Sequence, residues 1–177
     1  MADAQRAPLT YEPVGLAALD ACPNGYRRDA WSTELGRGAA VFGRARDALR
    51  AWDIHRGAGF VVLAEGAPAV GAVVALSAPL PVGFVDAACR VVDVVDVDDR
   101  YGFAYGTLPV HPERGEESFT VIQRADESVV FEIVAVSRPR HPLARAFPPV
   151  ARLLQKNATK RYLVSMRAVA ETGWTNR

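Results

Sequence analysis

The sequence predicts an α+β domain in which a strongly bent antiparallel sheet of about seven strands wraps around one long C-terminal helix. Two patterns carry this. From Phe60 to Ser137, short apolar or alternating runs follow one another with turn residues between them and no helical period. After them Val150, Leu153, Leu154, Ala158, Tyr162, Ser165, Met166 and Val169 recur at helical spacing. A sheet that must bury one face needs a covering layer, and this helix is the one element large enough.

Residues 1–24 carry Pro8, Pro13 and Pro23 and little periodicity. They read as an irregular lead-in draped over the domain, with one helical turn at Leu16–Asp20. Tyr26–Leu35 alternates, with Arg27, Asp29, Trp31, Thr33 and Leu35 on one face, and is polar enough for an edge strand. Val41, Phe42, Ala45, Ala48, Leu49 and Trp52 then form the stripe of an amphipathic helix. Asp53–Gly59 ends it, with glycines available for a left-handed cap.

Phe60–Ala64 and Ala69–Ala78 are apolar runs on either side of a turn at Gly66-Ala67-Pro68. Pro79 and Pro81 close the second run. A long β-branched strand follows, from Val82 or Phe84 to Val97. Asp93 and Asp96 fall out of strict period in it, which predicts a bulge near Val94-Val95. Asp98-Asp99-Arg100 turns into Tyr101–Leu108. Ser118–Arg124 alternates, Ala125–Ser128 turns, and Val129–Ser137 returns. Arg138–Pro142 stops the sheet. Pro148-Pro149 suits the first turn of the last helix, where the N–H that proline lacks is unpaired in any case. That helix ends near Glu171–Gly173. The domain thus spans 25–173, with a tail at 174–177.

At 177 residues, half of them apolar, the chain is long enough for one domain with a core of its own. A net charge of +1 gives no electrostatic case for nucleic acid or an acidic partner. No basic segment leads into an apolar run at the N-terminus, and no run of about 18 apolar residues exists. Cys22 and Cys89 fit neither a disulfide framework nor a metal site. The expectation is a cytoplasmic protein, monomeric or homodimeric, with reduced thiols. The excess of Ala, Arg, Val and Asp is a bacterial, high-GC composition.

The chemistry concentrates between Tyr101 and Glu117, where an aromatic, glycine-spaced strand breaks at Pro109 and Pro112 and gives way to His111, Glu113, Glu116 and Glu117. Adjacent Glu116 and Glu117 must point to opposite faces of a strand. Phe119 and Val121 are core-facing, so parity turns Glu117 inward and Glu116 outward. A carboxyl in an apolar cavity has its pKa raised and becomes a candidate acid; the alternative is an ion pair with Arg90 or Arg138. His111 is either a base oriented by a neighbouring carboxylate or a loop histidine bonded to backbone. Tyr105 shares a face with Tyr101 and Phe103 and either offers a hydroxyl or is core. Gly102 and Gly106 leave the other face open to close approach. Ser137-Arg138 suits an anion or, preferably, clamps the glutamates. His55, beside Arg56 at a helix end, and His141, between Arg140 and Pro142, are expected to be structural. A metal held by His111, Glu113 and Glu117 lacks a second histidine, so neither metal nor cofactor is expected. No phosphate loop, dinucleotide fingerprint or nucleophile elbow occurs.

Phe103-Ala-Tyr-Gly-Thr-Leu-Pro109 and His111-Pro-Glu-Arg-Gly-Glu-Glu-Ser-Phe119 resemble the signature of the domain-of-unknown-function 1990 family, also called UPF0548. Tyr26-Arg-Arg28, Trp52–Gly59, Ser137-Arg-Pro139 and the helix from Pro149 to Tyr162 are similar to that family too, so the likeness spans nearly the whole chain. The pattern has glycine before His-Pro-Glu where this chain has Val110, which removes backbone freedom there. The order of elements resembles the helix-grip arrangement of START and Bet v 1-like proteins. That arrangement implies an apolar cavity between helix and sheet, and its members include both enzymes and carriers.

The expected ligand is therefore a hydrophobic small molecule, with Trp31, Tyr101, Phe103, Glu113, Phe119, Arg138, Leu154 and Tyr162 around it. In the enzyme reading, Glu117, His111 and Tyr105 move protons in a cyclase, dehydratase or isomerase of the secondary-metabolic kind. In the carrier reading, the same polar cluster stiffens the cavity rim.

Overall fold

Every strand pairs antiparallel with its neighbour, and the last strand folds back onto the first. The computed structural model describes residues 2–79, 83–140 and 148–172. Its strands are β1 (Arg27–Arg37), β2 (Val61–Ala64), β3 (Val73–Pro79), β4 (Phe84–Val97), β5 (Arg100–Thr107), β6 (Glu113–Gln123) and β7 (Ser128–Pro139). They form one sheet in the order β1-β7-β6-β5-β4-β3-β2, so the polar β1 is an edge as its composition predicts. The helices are α1 (Ala2–Arg6), α2 (Ala39–Arg50), α3 (Asp53–Gly57) and α4 (Pro148–Thr172). The sheet and the long last helix make the α+β architecture that the sequence predicts.

The inner face of the sheet carries Tyr101, Phe103 and Tyr105 of β5, which lie opposite Val121, Phe119 and Glu117 of β6. Phe131 and Ile133 of β7 continue this face, and Phe42 and Leu49 of α2, Ile54 of α3, and Tyr162, Met166 and Val169 of α4 close over it. The outer face is covered by the N-terminal segment. Tyr11 and Leu16 pack on Val136, while Ala4, Ala7 and Leu9 pack around Val73, Ala88 and Leu108. A single 3-10 turn at Leu16–Ala18 stands where the lead-in has its helical pattern.

Four boundaries differ from expectation. β6 begins at Glu113 instead of Ser118, because the pairing of Glu113 with Pro139 and Arg114 with Arg138 extends the ladder past the glutamates. The bulge of β4 falls between Val91 and Asp93 rather than at Val94-Val95. Asp53–Gly57 is a helix of its own, set off by Trp52 in the left-handed region at φ 60°. Val110 is not among the described non-glycine residues with positive φ, Trp52 and Glu127, so its position needs no glycine. His141 and Gly173 lie outside the described residues.

α4 departs most from its sequence pattern. Thr159, Tyr162, Ser165, Met166, Val169 and Ala170 are buried, whereas Leu153 is 67% and Leu154 46% exposed. Arg44 donates to the Ala170 carbonyl at 2.9 and 2.6 Å, and Arg167 to Thr33 Oγ1 at 2.6 Å, so the C-terminal half is the anchored one. Met166→Ala should accordingly lower stability by about 2–5 kcal/mol in urea unfolding, and Leu154→Ala by less than about 1 kcal/mol. A Leu154 variant as unstable as the Met166 variant would place the whole helix in the core.

Candidate functional site

The site starts from a glycine. Gly115 sits at φ +147°, a conformation that L side chains rarely adopt, and a Cβ there would lie 2.0 Å from the Val136 carbonyl oxygen. This close approach of β6 to β7, with the Gly115 N–H donated to Thr107 Oγ1 at 3.0 Å, sets the strand that delivers Glu116 and Glu117.

Glu116 goes to the outer face and is 2% exposed. Its carboxylate accepts from Tyr11 Oη at 2.6 Å, Gly15 N–H at 2.6 Å and Ala17 N–H at 2.9 Å. It therefore ties the lead-in to the sheet. Gly106 makes room for this, since a Cβ there would stand 2.1 Å from the Tyr11 hydroxyl.

Glu117 goes to the inner face, into a cavity of about 440 Å³ between the sheet and the N-terminal half of α4. Leu76, Ala78, Val85, Ala87, Ala135, Phe60 and Ala158 give that cavity apolar walls. Tyr105 Oη donates to Glu117 Oε2 at 2.9 Å. Desolvation pushes the Glu117 pKa from 4.5 up to about 7, opposed by the Tyr105 hydrogen bond. Burial and then the nearby Glu117 charge hold the Tyr105 and Tyr162 hydroxyls well above the usual phenol range. Both tyrosines are neutral O–H groups at any physiological pH.

On the rim, Glu113 Oε2 accepts from Ser137 Oγ at 2.5 Å and from Gln155 Nε2 at 3.3 Å, and Arg27 donates to Gln155 Oε1 at 2.6 Å. Burial raises the Glu113 pKa, while the Ser137 bond and the Arg27 charge lower it. His111 Nδ1 accepts the Glu113 N–H at 3.0 Å, which puts the proton on Nε2. Desolvation lowers its pKa to about 4. It shapes its own turn and stays neutral; no carboxylate orients it.

Of the residues singled out from sequence, Tyr105, His111, Glu113, Glu117, Leu154 and Tyr162 line this one cavity. Trp31, Tyr101, Phe103, Phe119 and Arg138 are not among its lining residues. Trp31, Tyr101, Phe103 and Phe119 belong to the main core, because the cavity opens only at the Tyr105 end of the aromatic row. Arg138 stacks on Tyr26 at 4.7 Å, and Arg90 donates to the carbonyls of Ala4 and Gln5, so neither pairs with Glu117. Sequence reasoning misses Gln155, Phe60 and Arg161, three polar or loop-edge residues whose position depends on how α4 lies over the sheet. His55, read from sequence as structural, is fully buried among Trp52, Phe103, Tyr105, Phe119 and Tyr162 and is not among the lining residues. Among the described residues no group of three His, Cys, Asp or Glu side chains is placed to hold a metal ion.

The model of a domain of unknown function, DUF1990, matches residues 10–165. The chain belongs to this family. A UPF0548 protein of Deinococcus radiodurans is 41% identical over 73 residues, 41% of this chain, and the match spans only 37% of that protein's length. Solved structures share the fold of this DUF1990 chain at low identity. A hypothetical protein from Helicobacter pylori superposes with a TM-score of 0.59 at 10% identity, over 82% of this chain and 87% of its own. Norcoclaurine synthase from Thalictrum flavum gives 0.55 at 12%, over 81% and 92%, and ginseng major latex-like protein 151 from Panax ginseng gives 0.51 at 12%, over 82% and 97%. The DUF1990 chain therefore has a Bet v 1-like, helix-grip fold.

Glu117 makes stability depend on pH in a defined direction. The folded state keeps its proton up to about pH 7, while in the unfolded chain the carboxyl ionises near 4.5. The unfolded state therefore binds fewer protons between these values, and stability falls as pH rises through that window. Glu117→Gln removes the effect. Its stability relative to wild type should be roughly 3 kcal/mol more favourable at pH 8 than at pH 4. The same difference at both pH values would mean that Glu117 is already ionised in the folded protein.

Proposed function

We propose that this DUF1990 protein binds an apolar small molecule in the cavity under α4 and acts on it by cofactor-free proton transfer, with Glu117 as the acid–base group. One observation carries the reading: a carboxyl facing a cavity with apolar walls is held by a tyrosine instead of a cation, and desolvation brings its pKa near neutrality. General acid–base catalysis is most effective with a pKa near the working pH. Neutral Glu117 would protonate a departing or developing oxygen, and its carboxylate would then take a proton from a neighbouring carbon. The proton count closes, as it does in a dehydration, cyclisation or isomerisation.

Tyr105 orients the carboxyl and stabilises its anion. His111 carries its proton on Nε2 and acts as a rim donor. That a protein of this fold is named a synthase, norcoclaurine synthase, supports the view that the frame accommodates catalysis. The unpaired Cys22 and Cys89 support a cytoplasmic setting. A second reading, a carrier that releases its ligand unchanged, is favoured by the Glu113–Ser137–Gln155–Arg27 chain, which stiffens the rim without presenting a free acid.

The neutral fluorophore N-phenyl-1-naphthylamine should bind with one-to-one stoichiometry and blue-shifted emission. Ala158→Trp, which fills the cavity from α4, should weaken it at least about tenfold. Binding that survives the tryptophan would locate the probe elsewhere and reject the cavity. Once a substrate is in hand, Glu117→Gln should lower turnover about 10²–10⁴-fold with little change in affinity. Unchanged turnover would leave the carrier reading.

A further inference from the structure

Arg161 is the one cationic side chain among the described residues that line the cavity. Packing, not charge, holds it. Its guanidinium lies over the Phe60 ring at 5.7 Å and against Gly59, where a Cβ would stand 2.1 Å from Nη2. The ion pairs among the described residues involve Arg27, Arg37, Arg46, Arg50 and Arg56, and none reaches Arg161. The cavity's own carboxyls do not serve it either. Glu113 takes its positive neighbour from Arg27, and Glu117 has none.

An arginine seated by an aromatic face and a glycine notch has its orientation set in advance, with its planar fork of donors unspent. Such a fork matches a carboxylate bidentately. The walls beyond it are apolar, which suits the body of a ligand and not a second charge.

We infer that the ligand is an amphipathic carboxylic acid, its apolar body in the cavity and its carboxylate on Arg161; this rests on the cavity-binding reading above. The protonated state of Glu117 below about pH 7 removes one negative charge facing the cavity, and the other inner carboxyl, Glu113, has Arg27 beside it. Arg161 is then the residue that selects acids over neutral molecules of the same shape.

The test is competition against N-phenyl-1-naphthylamine at pH 6 by decanoate and by decanol, which share a chain and differ in the head group. Wild-type protein should prefer decanoate, and the ratio of the two affinities should fall about tenfold or more in Arg161→Gln. Arg161→Lys keeps the charge but loses the fork, so its ratio should lie between the two. The decanol affinity of each variant reports that the cavity is still formed. No preference in wild type, or the same ratio in Arg161→Gln, overturns the assignment while leaving cavity binding intact. Failure of the fluorophore itself to bind overturns both.

Discussion

Two neighbouring residues of a strand cannot share a face, and β6 applies this rule to two carboxyls in succession. Glu116 is sent outward, where three hydrogen bonds fasten the lead-in to the sheet. Glu117 is sent inward, where a tyrosine meets it in an apolar cavity. The same side chain thus has two fates one residue apart. The outer one is fully solvated by protein donors; the inner one is left short of them and holds its proton. A slip of one residue in the β5–β6 register would exchange these environments and unmake both the clamp and the cavity. On its other side β6 is held in register with β7 by Gly115, because the approach to Val136 that it permits is closed to any residue with a Cβ.

The rest of the inner face keeps the chemistry simple by keeping other groups neutral. His55 has no hydrogen-bond partner at either ring nitrogen, and burial lowers its pKa to about 3. The rings of Phe119 and Tyr162 lie 5.0 and 4.9 Å away between centroids, an apolar surround in which an imidazolium would be left without a partner. Burial likewise pushes the Cys89 thiol far above its ordinary range, with Glu117 adding to the effect. Among these inner-face groups Glu117 is left as the one that changes charge near neutrality, so the aromatic packing that stabilises the fold also isolates the candidate acid.

Much of this was legible beforehand because period-2 and period-3.6 patterns survive folding. The seven strands, the amphipathic α2, the inward turn of Glu117 and the close approach at Gly106 all follow from spacing. What stayed hidden depended on partners distant in sequence. The start of β6 is set by the ladder with β7, not by Glu113–Glu117 themselves. From sequence Glu116 reads as merely outward, because nothing local announces that Tyr11 lies over it, 105 residues away in sequence. Leu153 and Leu154 continue the apolar stripe of α4, yet stand exposed, since a stripe records which face is apolar and not whether the sheet is there to cover it. The aromatic row Tyr101-Phe103-Tyr105 looked uniform, and only the end of it opens onto empty space.

That exposure follows from having a cavity at all. If the N-terminal half of α4 met the sheet through apolar side chains, as the C-terminal half does, those side chains would occupy the space. The helix is instead held over the opening by Gln155, whose amide bridges Arg27 on one side and Glu113 and Ser137 on the other. Hydrogen bonds reach across a gap that van der Waals contact would have to fill, and a polar latch at the rim leaves the interior apolar. The price is weaker attachment: net hydrogen bonds contribute about 1 kcal/mol each, against several for a buried Met166 or Tyr162. The roof of the cavity is therefore the least firmly fixed part of the helix, and the anchored half behind it keeps Tyr162 beside Glu117 whatever the roof does.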